Sequence, residues 1–373
     1  MKVALPIILL TLSTIRALSQ TPAAPDFDDL ARRAAAAMER NPQEAAALYR
    51  QAVGLRPSWA EGWFYLGASE YQLKHYPEAR SALVRAGALA PDNGAVWAFL
   101  GLADYEMSDY PQAMTHILKA EDCGLPDNPQ FVSVVRIRAS LIAMRASDFT
   151  TAIDQLHPLA VSRDHSPPVI EAMGVAALTL PWLPADVPAA KRPLVDLAGR
   201  AMWALYAEQW SDAETLFQQL GKEYPAEPGV HYLRGIYFAD RDMAASLAEF
   251  QAELKVSPSH ALARVQIATL YLRMGEPSLA VDPAREAVRL APGNLICHLA
   301  LGRALMATDQ TTPAIAEFVA AIKLNPAYPH THFYLSQAYR QAGRDEDARR
   351  EQAEFIKLKD SAHAVPGTGP IPK

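Results

Sequence analysis

The chain has 373 residues, 50% of them hydrophobic and 20% charged, which suits about two or three compact domains or one elongated array and argues against long disorder. A net charge of −6 speaks against a general nucleic-acid binder, which needs a basic surface. Its 2 cysteines cannot build a disulfide framework or a four-cysteine zinc site. In chain order, the first segment reads as an address. Met1-Lys2 is a short positive start, Val3 to Ile15 is an apolar stretch of signal-peptide length, and Ala17-Leu18-Ser19 offers small residues for cleavage before Gln20. An uncleaved anchor is the alternative. No Cys follows the apolar run to carry a lipid, and no later stretch is apolar enough to span a bilayer. The expectation is an exported chain, periplasmic or secreted, with the bacterial envelope favoured. Thr21 to Pro25 reads as a linker.

Beyond the linker, prolines recur at a fixed interval. Pro57 and Pro91 lie 34 apart, as do Pro258, Pro292 and Pro326 in succession, and Pro225 to Pro258 is 33. Each closes a similar apolar ending, such as Val53-Gly-Leu-Arg-Pro57 and Val288-Arg-Leu-Ala-Pro292. Proline cannot continue a helix and disfavours helical geometry in the residue before it, so these are periodic helix stops. One period contains a helical hairpin. In 60–93, Trp63, Leu66, Gly67 and Tyr71 mark a first helix and His75-Tyr76 a turn. Pro77 then opens a second helix with Ala79, Leu83 and Ala86 on one face. The period 94–127 repeats this with Trp97, Leu100, Gly101, Tyr110-Pro111, Ala113, Ile117 and Ala120. Pro42, Pro277 and Pro313 also open or closely precede second helices.

The pattern Trp-x-x-Leu-Gly-x-x-Tyr, then Ala, Phe, Ala and a closing Pro, resembles the tetratricopeptide repeat (TPR) family. The resemblance implies an all-α fold, an α-solenoid (right-handed superhelix) of about nine to ten helical hairpins whose concave face is lined by the first helices. Gly67, Gly101, Gly235 and Gly302 fall where the helices of a hairpin approach most closely, opposite Ala79, Ala113, Ala213, Ala280, Ala314 and Ala348. The first repeat, 26–59, is partial, and the fourth, near 130–162, has Ser140 in place of Gly. The fifth starts over Val169 to Leu178 with Gly174 in phase and then departs into 180–193, where four prolines in 14 residues forbid a regular helix. That segment reads as a linker covering an apolar edge, as a hinge, or as an extended strap pinned by Trp182. Repeats six to ten follow, the last with a charge-dense second helix that suits a terminal cap. The expected organisation is a signal peptide at 1–19, a linker at 20–25, an N-terminal array at 26–179, a Pro-rich irregular segment at 180–193, a C-terminal array at 194–359 and a disordered tail at 360–373.

No enzyme signature occurs: there is no phosphate loop, no Gly-x-Ser-x-Gly elbow and no His-Glu-x-x-His. The chain is therefore read as non-enzymatic, with no catalytic residue, no metal site and no cofactor. His157, Asp164, His165, Glu171 and Asp186 gather near the irregular region, but no spacing among them demands chemistry. His330 and His332 are two apart and point to different helix faces, a poor chelate. His298 and His332 stand where the pattern puts Trp and are read as packing residues with a polar edge. Cys297 is read as a buried hydrophobe and Cys123 as an exposed turn residue.

The resemblance places Phe64, Tyr71, Gln72, Tyr105, Glu106, Ile137 and Arg145 in the groove of the N-terminal half. It places Tyr206, Tyr232, Arg273, Arg303, Phe333, Gln337 and Arg340 in that of the C-terminal half. Tyr71 and Tyr105 would form an aromatic rail, and Arg273, Arg303 and Arg340 would offer forks to carboxylates. The Lys/Asn pattern of the chaperone-binding carboxylate clamp does not occur in phase. The expected function is a non-catalytic scaffold or adaptor of the cell envelope, holding an unidentified partner protein or peptide. The alternatives are a glycan or small-molecule binder, with Trp182, Tyr206 and Tyr232 as stacking platforms, or a non-catalytic subunit of an enzyme or export complex.

Overall fold

The computed structural model describes residues 26–363; the expected signal peptide and linker, and the part of the expected tail beyond His363, lie outside the described residues. Among the described residues there are nineteen α-helices, two short 3-10 turns and no strand. Two compact units divide between Ile142 and Ala143. The first holds α1 (Phe27–Ala37), α2 (Pro42–Leu55), α3 (Ala60–Gln72), α4 (Tyr76–Leu89), α5 (Gly94–Glu106) and α6 (Tyr110–Cys123). The boundary falls inside α7 (Pro129–Arg145). The second unit holds α8 (Phe149–Val161), α9 (Pro167–Ala177), α10 (Arg192–Tyr206), α11 (Trp210–Glu223), α12 (Val230–Phe238) and α13 (Met243–Val256). It continues with α14 (Ala261–Arg273), α15 (Pro277–Leu290), α16 (Leu295–Ala307), α17 (Thr311–Leu324), α18 (Pro329–Gln341) and α19 (Asp345–His363). In each unit, consecutive helices pack as antiparallel hairpins that stack on the next: an α-solenoid built of repeats.

Local chemistry starts and stops these helices. Asn41, Asp109, Asp148, Asp242 and Asn294 accept backbone N–H groups at helix starts. Proline sits in the first turn of α2, α4, α6 and α15, where its missing N–H breaks no bond. Between the two helices of a hairpin the chain turns through a left-handed residue, at Lys74, Ser108, Gly275, Asp309 and Gly343.

Packing explains the small residues. A methyl on Gly67 would stand 2.5 Å from Leu83, one on Gly101 2.7 Å from Ile117, and one on Gly302 2.5 Å from the Phe318 ring. Ala79, Ala113, Ala280 and Ala314 are completely buried on the facing helices. The closing prolines have a second role. Trp63 Nε1 donates to the Pro57 carbonyl at 2.9 Å and Trp97 Nε1 to that of Pro91 at 2.7 Å. Further along, His231, His298 and His332 do the same with Nε2, to Pro225, Pro292 and Pro326 at 3.0, 2.9 and 2.9 Å. Their Nδ1 atoms lie 2.6–2.8 Å from Glu249, Glu317 and Glu351 on the second helices. Histidine thus replaces tryptophan by keeping its N–H contact to the preceding repeat and adding a carboxylate contact within its own. This accounts for His298 and His332; His231 completes the set.

Buried carboxylates tie neighbouring repeats in the first unit. Glu70 on α3 meets Arg50 of α2 and His75. Asp104, one period later on α5, meets Arg80 of α4 at 2.8 Å and His116 of α6 at 2.6 Å.

The segment 180–193 departs from the regular pattern, and the geometry shows how the array continues through it. It makes two 3-10 turns, Pro184–Asp186 and Ala189–Lys191, and α10 begins within it at Arg192. No second helix follows α9, so α10 packs directly on α9 through two glycines. A Cβ on Gly174 would stand 2.0 Å from the Val195 carbonyl, and one on Gly199 2.0 Å from that of Ile170. The segment lies within the second compact unit, with Val187 buried and Trp182 half-buried. At the other end, α19 runs to His363, past residue 359 where the expected array ends.

Candidate binding face

In the first unit the expected residues lie on α3, α5 and α7. Phe64 meets the Phe99 ring at 5.6 Å, and Tyr71 stands edge-on to Phe99 at 5.9 Å and to Tyr76 at 5.5 Å. Burial pushes the Tyr71 hydroxyl well above its ordinary value. Tyr105 repeats the arrangement on Tyr110 at 5.6 Å, and the Arg138 guanidinium caps its ring at 4.8 Å while reaching Glu106 at 3.4 Å. The aromatic rail is therefore a row of tyrosine pairs, each tied to the start of its own second helix. Gln72 and Ile137 are half-buried.

In the second unit the first helices carry the remaining expected residues, and the structure separates them. Tyr206 of α10 and Tyr232 of α12 line one cavity of about 190 Å³, together with Phe149, Thr150, Ile153 and Asp154 of α8, Thr179 after α9, and Gln266 of α14. Tyr206 meets the His157 ring edge-on at 4.7 Å, and Tyr232 lies against His260 at 4.6 Å. Burial raises both hydroxyls, that of Tyr232 to about 12. Arg303 lies over the Tyr334 ring at 5.1 Å. By contrast, Arg273 is committed to the fold: it donates to the Ala239 carbonyl at 3.0 Å and pairs with Asp240 at 3.1 Å. Arg340 donates to Gln352 at 3.3 Å, and Phe333 packs on Phe355 at 5.3 Å, both on α19. Gln337 is half-buried and Arg145 is exposed at the end of α7.

Three groups at this face gave no sign in the repeat pattern. Asp154 is on α8, which the pattern phases as a second helix and so away from the groove; the missing helix after α9 lets α8 and α10 meet instead. Burial and the neighbouring Asp148 push its carboxyl up to about 6, although groove solvent reaches it. Glu253 of α13 is fully buried and accepts the backbone N–H groups of Gly229 and Tyr232 at 2.9 and 3.2 Å, capping α12 from another helix. Burial raises its carboxyl in spite of those bonds. His260 accepts the Ala263 N–H through Nδ1, which leaves Nε2 as the protonated nitrogen, 3.3 Å from Thr179 Oγ1. Burial lowers it to about 4.

Elsewhere, a wider hollow of about 590 Å³ lies around Trp203, His165 and Leu216, and the Trp203 indole N–H donates to the Asp164 carbonyl at 2.8 Å. Cys297 is buried, its thiol raised to about 12. His332 is engaged by Glu351 and Pro326, while His330 lies against Tyr328 at 5.6 Å. Among the described residues no group of His, Cys, Asp or Glu is placed to hold a metal ion, and no helix is long and apolar enough to cross a membrane.

Stacked hairpins with a small-residue seam define an all-α repeat solenoid, and comparison with known proteins names the repeat. Tetratricopeptide-repeat family models match residues 60–93, 236–294 and 299–362, so these segments are tetratricopeptide repeats. No curated protein matches the sequence. Among solved structures, MamA from Desulfovibrio magneticus RS-1 is 20% identical, with 44% of this chain and 94% of that one covered and a TM-score of 0.40. Another MamA structure is 13% identical, with 47% and 96% covered and a TM-score of 0.39. YrrB, described as a TPR protein with an unusual peptide-binding site, is 14% identical, with 44% and 86% covered and a TM-score of 0.37.

Proposed function

We propose that this chain is a non-catalytic scaffold of the cell envelope that holds a partner protein or peptide along the face made by its first helices. The observation that carries the reading is the recess of the second unit. Tyr206 and Tyr232 from two successive first helices, with Gln266 from the next, stand around an open cavity that no side chain of the described residues fills. Rigid amphipathic rings beside polar ends are the residue types on which partner segments anchor. Repeats supply such faces in series, and a long segment could engage several at once. Stacking of a sugar ring on these tyrosines is less favoured, since His157 and His260 lie against them and Trp182 is not in the cavity lining.

Two measurements test the reading. A photo-reactive phenylalanine analogue is placed at Gln72, Gln266 or Gln337 on first helices, or at Gln112 or Gln218 on exposed second-helix faces, in the native envelope. Adducts at the first three positions are expected; adducts only at the last two would move binding to the opposite face. N-terminal sequencing of the fractionated chain should find a start at Gln20 outside the cytoplasm, and a cytoplasmic chain keeping Met1 would remove the envelope assignment.

A further inference from the structure

We infer that three repeat boundaries of the second unit are closed by proton-dependent staples at His231, His298 and His332. The array there is firm while these rings carry two protons and loosens as they lose one. The inference goes beyond the proposed function, since it concerns how the face is held and needs no partner. Each ring has an acceptor at both nitrogens. Nε2 faces the carbonyl of Pro225, Pro292 or Pro326, at the end of the preceding repeat. Nδ1 faces the carboxylate of Glu249, Glu317 or Glu351, on the second helix of its own repeat. A carbonyl cannot donate, and neither can an ionised carboxylate, so making both bonds takes an N–H on each nitrogen, which is the imidazolium form. The neutral ring has a single N–H. Kept on Nδ1 against the carboxylate charge, it leaves the Nε2 lone pair turned on the proline carbonyl. The bond lost is the one that crosses the repeat boundary.

These pairs are shielded enough to feel the loss. The ring side chains are 18%, 12% and 7% exposed and their carboxylates 14%, 25% and 14%, so water replaces the missing bond poorly. Further charges surround two of them. Arg234 of α12 shares Glu249 at 2.9 Å, Arg350 stands 3.7 Å from Glu351, and Glu253 and Glu354 feel His231 and His332. The first unit closes the same register differently: Trp63 and Trp97 reach Pro57 and Pro91 through an indole N–H that does not titrate. Arg264, six residues after Pro258, holds that register position as a permanent cation. His260 is different in kind, since its Nδ1 accepts the Ala263 N–H and burial holds it neutral. Folding therefore takes up a proton at each of the three rings wherever the free ring is neutral, and by linkage stability falls as pH rises. His231 directly precedes Tyr232, so one staple anchors the helix that brings this tyrosine to the recess.

Hydrogen–deuterium exchange of the full chain at pH 5.5 and 8.5, corrected for intrinsic rates, tests this, because free imidazole titrates near about 6.5 between them. Amides of α12, α16 and α18 should lose protection by about tenfold for each pH unit over which one ring gives up its proton. The comparison is the triple variant Glu249→Gln, Glu317→Gln, Glu351→Gln. Its amide side chains can donate to Nδ1, so a neutral ring keeps its Nε2–H on the proline carbonyl. The added pH dependence should vanish there, whatever the level of stability. Asp154 titrates alike in both chains, so the difference between them reads the staples. Ring 15N shifts of the parent chain need no variant: at pH 8.5 the three rings should hold their proton on Nδ1. Unchanged protection at α12, α16 and α18, a pH dependence that survives in the triple variant, or neutral rings protonated on Nε2 would each overturn the inference.

Discussion

At the closest approach within each hairpin a single hydrogen on Gly67, Gly101 or Gly302 separates two helices, and the facing atoms belong to buried side chains or backbone. At Gly101 the neighbours are Ile117 and the Ala113 carbonyl, which cannot retreat without moving α6. Gly101→Leu is therefore expected to destabilise the chain by about 3 kcal/mol through overpacking, seen as a lowered urea midpoint; an unchanged midpoint would contradict the register. These seam positions were legible from the sequence because they recur every period. Asp154 was not, because its role arises from an interruption of that period. Its folded carboxyl is raised from 3.8 to about 6, so between those values the folded chain holds the proton more tightly than the unfolded one, and stability falls as pH rises through that window. Asp154→Asn should melt above the parent chain at pH 7.5 and together with it near pH 3.5. A variant that melts lower at neutral pH would mean that Asp154 has a stabilising partner in the fold.

Hairpins were the most legible level, since helix stops at Pro57, Pro91, Pro292 and Pro326 mark their ends directly. The exchange of tryptophan for histidine was legible at 298 and 332 but not at 231, and the shared N–H aimed at one carbonyl, which explains it, shows only in the packing. The inter-helix cap from Glu253 to α12 was hidden for a related reason: it joins residues 24 positions apart that no local rule connects. The turns inside the hairpins offer a test at this scale. Lys74 occupies the left-handed position that Gly275 and Gly343 occupy in later repeats. A side chain there is strained, and its Lys74→Gly replacement should stabilise the chain by about 0.5–1 kcal/mol despite the added freedom of the unfolded state. Thermal unfolding decides it, and a lower melting temperature would show that Lys74 makes contacts worth more than the strain.

Repeat arrays owe their stability to intrinsic repeat terms plus the interfaces between neighbours, so a run of repeats can be cut where an interface is weak but not where it is strong. The break at 180–193 looks like such a place in the sequence, since four prolines end one regular stretch there. The packing places the strength differently. α10 seats Leu194, Val195 and Ala198 in a buried contact, and Gly174 and Gly199 let its backbone cross that of α9. The proline-rich turns only carry the chain from one to the other. A fragment spanning 194–363 keeps its later hairpins and should be helical, but it loses the face that α9 covers. A fragment spanning 167–363 keeps it. At about 2–4 °C per kcal/mol for chains of this size, the longer fragment should melt about 10 °C higher, and its α10 amides should exchange more slowly with deuterium. Equal melting temperatures and equal exchange would mean that the α9–α10 crossing contributes little, and that the proline-rich segment is a true boundary after all.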